Sequence, residues 1–378
     1  MFGTMVALIA VEVALRTTGI GQNRLRSKRM LNNLDAPVYY HLYTSNPNGE
    51  FRPLPDTSHG RWVLKTTMLP PTELPLEMKN ETPFCVEYRN SLLPIEGRPV
   101  VIRDRAYPLI PAEGKQRMLM IGDSFAYGEG VPLERTLFRQ LESRLGPSFQ
   151  VMDAGRPGFD ASMELARAQR LVPQLGVRRV LLVFIPNDIR LTDELIARQT
   201  FINDLINIRD EILERHESSA WYSGSPRVVQ WFGSAWEMRR IAHETIRWYL
   251  DSYDPHINGK NLDLLAYQIG QFAKLPNCRV AMVIYPLMEG LERSYPFAEI
   301  HARVAEMARR AGIPALDLAP VFAGCDTQSL WVHPADHHPN GKAHRMAAER
   351  IAKWLSEEVP GYLEHPAGRA TPAKRAKP

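Results

Sequence analysis

The sequence predicts an α/β protein with a central parallel sheet that is covered by helices on both sides. From Arg117 onward, short aliphatic or β-branched runs alternate with longer segments whose apolar residues recur at helical spacing. Strands that alternate with helices form parallel sheets, because a parallel pair needs a crossover connection. Active sites of such sheets lie at the carboxyl ends of the strands.

The individual elements follow from the same patterns. Five runs predict the strands, at residues 118–121, 150–152, 180–185, 280–285 and 315–318. Helices are predicted between or after them, at residues 133–145, 161–175, 297–311 and 342–358. The apolar positions of each helix fall on one face, as expected for a helix that packs on a sheet.

A long segment, residues 191–273, separates the third and fourth predicted strands, and we predict a helical insertion there. Tryptophans and arginines alternate within it: Trp221, Trp231, Trp236, Arg239, Arg240, Arg247 and Trp248. Two interpretations remain open. The aromatic residues either pack a helical subdomain onto the sheet, or they form a lid or a lipid-facing surface.

The amino terminus, residues 1–20, is predicted to be a hydrophobic segment. Its first 15 residues are apolar apart from Thr4 and Glu12, whereas a bilayer span needs about 20 such residues. An interfacial anchor, the end of a transmembrane helix that begins upstream, and a buried helix are the three alternatives. A cleaved signal peptide is not expected, since a basic region and a cleavage site are missing. The basic residues that follow favour a cytoplasmic flank: Arg16, Arg24, Arg26, Lys28 and Arg29.

The rest of the chain divides into three predicted regions. Residues 21–114 are rich in Pro, Asn, Thr and Gly and predict an irregular region of short strands and loops. Residues 115–360 form the predicted α/β domain, and residues 361–378 form a Pro-, Ala- and Lys-rich tail that we expect to be disordered.

A net charge of +4 from 46 basic and 42 acidic residues does not indicate nucleic-acid binding. Three scattered cysteines indicate neither a metal site nor a disulfide framework: Cys85, Cys278 and Cys325.

A candidate nucleophile, Ser124, lies directly after the first predicted strand. A serine acts as a nucleophile where a tight turn presents its hydroxyl and a base removes its proton. The preceding Gly122 permits a close approach of other backbone that a side chain would block. In the alternative interpretation, Gly122-Asp123-Ser124 only forms an N-cap, and Ser124 opens the next helix. Gly128 and Gly130 match neither the dinucleotide fingerprint nor the phosphate loop, and no cofactor is predicted.

Histidines cluster in residues 331–344, just before the last predicted helix. A base for Ser124 must be an imidazole held in one tautomer, usually by a carboxylate, and His338 with Asp336 is our candidate pair. His337 is the nearest competitor. Four histidines beside an aspartate also suit zinc, although no separate His-rich or Cys-rich segment supplies further ligands.

Two further features follow the second and third predicted strands. Acyl transfer needs hydrogen-bond donors where the carbonyl oxygen becomes negative, and a glycine N–H and an asparagine amide can provide them. We predict these donors to be Gly158 and Asn187. Each residue alone is also explained by a turn or by the end of a strand.

In this order the four pieces resemble the SGNH hydrolases, also called the GDSL family, which are named for blocks carrying Ser, Gly, Asn and His. The likeness covers about residues 117–355, and it extends weakly to an Arg-Asn-Ser segment at 89–91 and to the hydrophobic amino terminus. The corresponding blocks are Gly122-Asp123-Ser124, residues 155–158, Asn187-Asp188 and residues 336–340. The resemblance implies a flavodoxin-like three-layer α/β/α sandwich.

The resemblance also implies a mechanism. Ser124 attacks an ester carbonyl, His338 transfers the proton, and the Ser124 N–H, Gly158 N–H and Asn187 amide stabilise the oxyanion. Asp336 orients His338. Many family members carry the aspartate three residues before the histidine, where this chain has Ala335, so a Ser–His dyad supported by a backbone carbonyl is the alternative.

The resemblance leaves the substrate open, because the family includes lipases, thioesterases, carbohydrate acetylesterases and O-acetyltransferases. We predict an ester hydrolase or acyltransferase whose substrate is a carbohydrate or lipid ester. An inactive, membrane-tethered glycan- or partner-binding module and a metal-dependent hydrolase are the rival hypotheses. A hydrophobic anchor favours association with a membrane of the cell envelope, while the basic flank favours a cytoplasmic domain.

Overall fold

The computed structural model describes residues 2–17, 38–42, 44–45, 51–52, 61–66, 85–87, 90–93, 95, 100–104, 107–217, 227–333 and 336–364. Several features singled out in the sequence lie outside these residues: Trp221, the basic positions 24–29, and residues 365–378 of the tail predicted over 361–378. The first four residues of that tail are described and pack on the domain, since Tyr362 is 2% exposed and its hydroxyl donates to the Val180 carbonyl at 2.9 Å. The side chains of Cys85 and Trp231 are also outside the description.

The strands are β1 Val38–Leu42, β2 Thr44–Ser45, β3 Phe51–Arg52, β4 Arg61–Thr66, β5 Cys85–Glu87, β6 Asn90–Leu93, β7 Val100–Arg103, β8 Gln116–Gly122, β9 Phe149–Asp153, β10 Arg179–Phe184, β11 Arg279–Ile284, β12 Ala315–Asp317, β13 Trp331–His333 and β14 Asp336–Pro339. The helices are α1 Phe2–Thr17, α2 Ser124–Tyr127, α3 Leu137–Leu145, α4 Ala161–Leu171, α5 Asp193–Glu217, α6 Arg227–Ser252, α7 Pro255–Phe272, α8 Ala298–Arg310, α9 Ala319–Phe322 and α10 Gly341–Glu357.

The centre of the molecule is a parallel sheet in the order β9, β8, β10, β11 and β12. Numbered along the chain, this is the 2-1-3-4-5 order of flavodoxin-like sheets, in which ligands bind where the strand order reverses. The reversal lies between β8 and β10. The predicted fold class is therefore confirmed, and all five predicted strands are present within two residues of their expected bounds.

Two of the predicted helices are shorter than expected. The helix predicted over 133–145 starts as the single 3₁₀ turn Leu133–Arg135, and regular α-helix begins at Leu137. The helix predicted over 161–175 ends at Leu171, two residues before Pro173, which has no backbone N–H to donate to the preceding turn.

Helices cover both faces of the sheet, which is why its strands are apolar throughout. Alternate residues of β8 point to opposite faces, so Leu119 and Ile121 join one buried cluster while Met118 and Met120 join the other. The first cluster includes residues of α4, α7 and α8, and the second includes residues of α3 and α10. The result is the three-layer sandwich that the alternation of strands and helices predicted.

The described strands of the region 21–114 extend the same sheet. β7 pairs antiparallel with β9, with Arg103 opposite Asp153, and β6, β4, β1 and β5 follow outward. Ile102 and Arg103 on β7 are both buried. Residues upstream of the α/β domain therefore contribute directly to its core.

The segment predicted as a helical insertion divides into two parts. Its last helix, α7, buries Leu265, Ile269 and Phe272 in the core and forms the crossover between β10 and β11. The insertion proper is the α5–α6 pair, which has its own small cluster around Trp248. Trp248 therefore agrees with the interpretation in which the aromatic residues pack a helical subdomain. Trp236 is 70% exposed and does not agree with that interpretation.

The amino-terminal segment forms the helix α1, which packs against α6. None of the helices that the structure describes combines the length and the hydropathy needed to cross a bilayer.

We predict that Phe272→Ala destabilises the fold by about 3–5 kcal/mol, because it removes a fully buried ring of the crossover helix. Urea unfolding measures this change. Phe232→Ala is the matched control, since this ring on α6 is 60% exposed and its removal should change stability by less than about 0.5 kcal/mol. Equal effects of the two substitutions would contradict the division of residues 191–273 into a core helix, α7, and the α5–α6 insertion.

Candidate active site

A tight turn at the carboxyl end of β8 presents Ser124. Asp123 is the N-cap of α2, since its carboxylate accepts a hydrogen bond from the Phe125 N–H at 2.8 Å, and Ser124 is the first residue of the helix. The N-cap of the alternative interpretation, with Ser124 opening the next helix, is therefore present, and the cap alone does not distinguish the two interpretations. Ser124 is 8% exposed, at the point where β8 and β10 diverge.

Two glycines make this turn possible, because other backbone lies against both. A Cβ on Gly122 would lie 2.7 Å from the Val183 carbonyl oxygen, and a Cβ on Gly155 would lie 2.8 Å from the Tyr127 nitrogen. The loop after β9 is also fixed to the end of β8, since the Arg156 N–H donates to the Gly122 carbonyl at 3.0 Å. The close approach expected at Gly122 is thus present.

Ser124, His338 and Asp336 form a continuous hydrogen-bonded chain. The Ser124 Oγ lies 2.9 Å from the His338 Nε2, and the His338 Nδ1 lies 2.5 Å from the Asp336 Oδ1. The spacing of two residues between aspartate and histidine therefore permits the contact, and the carboxylate occupies the place that a backbone carbonyl takes in the dyad alternative. The Ser124 Oγ also lies 3.1 Å from the Asp123 Oδ2, which is longer than its 2.9 Å distance to the His338 Nε2.

The strand pair β13–β14 and the start of α10 hold His338 in place. The Asn340 side chain caps α10 by accepting from the backbone N–H groups of Lys342 and Ala343. Its amide donates to the carbonyls of Ser329 and Trp331, at 3.0 and 2.9 Å. Asn340 thereby joins the helix to the hairpin that carries Asp336 and His338.

The surroundings of His338 favour its protonated form. Burial by itself would lower the pKa of His338, but the hydrogen bond and charge of Asp336, together with the charges of Glu129 and Asp123, raise the pKa above its ordinary value. The ring is thus a stronger base than a free imidazole and is oriented toward Ser124.

Two other histidines of the carboxyl-terminal cluster, His337 and His344, point elsewhere. His337 stacks on Trp331 with ring centroids 3.7 Å apart, and its Nδ1 lies 2.5 Å from the Glu289 carboxylate. His344 is fully buried, and burial lowers its pKa to about 3. Among the residues that the structure describes, no group of three or more His, Cys, Asp or Glu side chains is arranged to hold a metal ion.

The predicted oxyanion donors lie around the same turn. Gly158 has a φ of +78°, a conformation that favours glycine, in an exposed loop after β9. Within the described part of the chain, the N–H groups of Ser124 and Gly158 donate to no backbone or side-chain acceptor. The Asn187 Nδ2 lies 3.4 Å from the Asp123 Oδ2, the same oxygen that Ser124 contacts.

Sequence patterns did not single out Arg103, which supports the turn from the neighbouring strand β7. Its guanidinium donates to the Tyr127 carbonyl at 2.5 Å and to the carbonyls of Gly128 and Val131. These carbonyls close the carboxyl end of α2, so Arg103 fixes the helix that Ser124 begins. An arginine in an otherwise apolar run, Val100-Val-Ile-Arg103, was the available signal.

Buried carboxyl groups lie on the other side of the turn. Glu164 on α4 is fully buried and neither of its oxygens has a hydrogen-bond partner, and one Asp188 oxygen is also unpartnered. Burial, followed by the charges of Asp123 and Asp160, raises the pKa of Glu164 well above its usual range. Burial and the charges of Glu164 and Asp123 do the same to the pKa of Asp188. Burial and the neighbouring negative charges therefore favour the protonated forms of these two carboxyls.

No protein-family model and no curated protein matches the chain. It is similar to three solved structures, each of which aligns with 64% of this chain. They are the inhibitor-bound aryl esterase of M. Smegmatis (14% identity, 98% of that chain, TM-score 0.34), the carbohydrate acetylesterase Est24 of Sinorhizobium meliloti (12%, 99%, 0.35) and a member of the lipolytic G-D-S-L family from Veillonella parvula DSM 2008 (12%, 99%, 0.38). These similarities are distant and indicate no activity for this chain.

We predict that Glu164→Gln flattens the pH dependence of stability. A carboxyl whose pKa is raised by folding contributes its stability below the unfolded pKa and loses it as the pH rises, by about 1.4 kcal/mol for each unit of pKa difference. The wild-type melting temperature should therefore fall more between pH 5 and pH 8 than that of the variant. Glu299→Gln, at an exposed position, should keep the wild-type slope. Parallel curves for wild type and Glu164→Gln would contradict the buried carboxyl assignment.

Proposed function

We propose that this protein is a serine esterase that cleaves carboxylic esters through an acyl intermediate on Ser124. The observation that carries the proposal is the chain of contacts from the Ser124 Oγ through the His338 ring to Asp336, at 2.9 and 2.5 Å. A hydroxyl, an imidazole and a carboxylate in this order are the parts that nucleophilic acyl transfer requires.

In the first step the Ser124 Oγ bonds to the ester carbonyl carbon while its proton passes to the His338 Nε2. Asp336 keeps the other ring proton on Nδ1, so Nε2 is free to accept, and its charge stabilises the imidazolium that forms. The raised pKa of His338 supports this role.

The negative charge that develops on the carbonyl oxygen needs donors on the opposite side. We assign this role to the Ser124 and Gly158 N–H groups and the Asn187 amide, and each such donor is worth about 3 kcal/mol of the barrier. When the intermediate collapses, the bond to the ester oxygen breaks and the imidazolium of His338 returns its proton to the leaving alcohol. Water, deprotonated by His338, then releases the acyl group from Ser124.

The acceptor that removes the acyl group distinguishes an esterase from an acyltransferase. Ser124, Gly158, Asn187 and His338 serve both reactions equally, because both pass through the same acyl-serine. We assign hydrolysis, since it needs water alone and no second binding site. A panel of acetyl esters of p-nitrophenol, of glycans and of glycerol, assayed with and without sugar acceptors, identifies the acyl donor and tests this assignment.

We expect Ser124→Ala to reduce kcat for p-nitrophenyl acetate by at least about 10⁴-fold, because the nucleophile is lost. The wild type should be labelled covalently by a fluorophosphonate at Ser124, and the variant should not. Ser143→Ala, at an exposed position on α3, is the matched control and should retain full activity. Unchanged turnover by Ser124→Ala would overturn the proposal.

The pH–rate profile tests the role of His338. The neutral ring is the base, so kcat/KM should fall as the pH drops through a pKa that lies above 6.5. Asp336→Asn removes the charge that raises this pKa. The acidic limb should then move to lower pH, and kcat should fall on the order of 10³- to 10⁴-fold. An acidic limb at the same pH in both proteins would show that Asp336 does not act on the base.

A further inference from the structure

The α5–α6 insertion exposes several large apolar residues, although Trp248 is buried. Phe232 and Trp236 are 60% and 70% exposed, and because they are four residues apart they lie on the same face of α6. Phe201 and Ile208 on α5 are 53% and 55% exposed. Exposed large apolar residues that cluster indicate an interaction surface.

Polar and charged groups lie between these two helices beside the apolar cluster around Trp248. Ser234 is 6% exposed and accepts a hydrogen bond from the Arg209 guanidinium at 3.1 Å, and Arg209 itself pairs with Asp210 at 3.0 Å. Further along, Arg198 of α5 bonds to Asp251 of α6. The pair therefore combines a small apolar cluster and ion pairs on its inner side with large apolar residues that remain exposed on its outer side.

The helix α1, which packs against α6, also exposes apolar side chains among those that the structure describes. Ile9, Val11 and Val13 are 54%, 45% and 54% exposed, while Glu12 is only partly exposed. Two helices in contact thus both direct apolar side chains away from the protein.

Basic residues continue the outward face of α6 beyond its aromatic end. Arg239 and Arg240 are exposed one turn after Trp236, and Arg247 follows two turns later at 64% exposure of its side chain. Aromatic residues followed by arginines on one helix face match a lipid surface, where the rings enter the acyl boundary and the guanidinium groups meet phosphates. A protein partner would not require this succession.

We propose that the outward face of α6, together with α1, binds the surface of an anionic lipid membrane. The binding is interfacial, with the rings of Phe232 and Trp236 inserted among the lipid headgroups and Arg239 and Arg240 on the lipid phosphates. The proposal is independent of the chemistry at Ser124, and none of these residues contacts the catalytic chain.

Co-sedimentation of the full chain with vesicles tests the proposal. Vesicles of phosphatidylcholine with 30% phosphatidylglycerol, by design, are compared with vesicles of phosphatidylcholine alone. We expect binding to the anionic vesicles, weakened at least tenfold by the double variant Phe232→Ser/Trp236→Ser. The double variant Arg239→Gln/Arg240→Gln should lose the preference for anionic lipid. Trp236 fluorescence, taken as the difference between wild type and Trp236→Phe, should shift to shorter wavelength on binding.

Tyr267→Ser is the matched control, because this ring on α7 is 62% exposed but lies on another helix. It should bind vesicles as the wild type does. All variants should hydrolyse a water-soluble ester normally, which shows that they fold. Absence of wild-type binding, or equal binding by the Phe232→Ser/Trp236→Ser variant, would overturn the proposal. So would self-association that these two substitutions abolish, because the surface would then be a contact between copies of the chain.

Discussion

Close contact between backbones at the end of β8 is the constraint on which the site depends. Neither Gly122 nor Gly155 has room for a Cβ, because the first would meet the Val183 carbonyl and the second the backbone of α2. Because these backbone segments are in contact, the loop after β9 and the end of β10 lie beside Ser124. Gly158 follows Gly155 and Asn187 follows Val183 within a few residues. The close packing at the two glycines therefore positions Gly158 and Asn187 relative to Ser124.

The turn is also held from outside the predicted α/β domain. Arg103 on β7 donates to three carbonyls at the end of α2, and β7 is itself paired with β9. A guanidinium that donates to several buried carbonyls satisfies hydrogen-bond acceptors that would otherwise lack a partner. The antiparallel extension of the sheet is therefore part of the support of Ser124, and the functional unit is larger than residues 115–360.

The electrostatic environment differs on the two sides of Ser124. On one side the hydrogen bond and charge of Asp336 outweigh burial and raise the pKa of His338, and on the other burial raises the pKa of Asp123, Glu164 and Asp188. The His338 ring therefore accepts a proton more readily than a free imidazole, while burial disfavours the anionic forms of the three carboxyls. A serine hydroxyl placed between them has one strong acceptor, the His338 ring, because the carboxyl closest to it is destabilised as an anion.

The sequence by itself determined the parallel sheet, its strands within two residues, and the order of the Ser, Gly, Asn and His segments, because local periodicity and turn residues encode these features. The choice between His337 and His338 needed the tertiary structure. Adjacent residues of β14 point to opposite sides of the strand, and only its packing decides which side meets Ser124. The roles of Arg103 and of the exposed face of α6 also required it, because contacts between distant segments and the direction of a helix face are set by packing, not by local sequence.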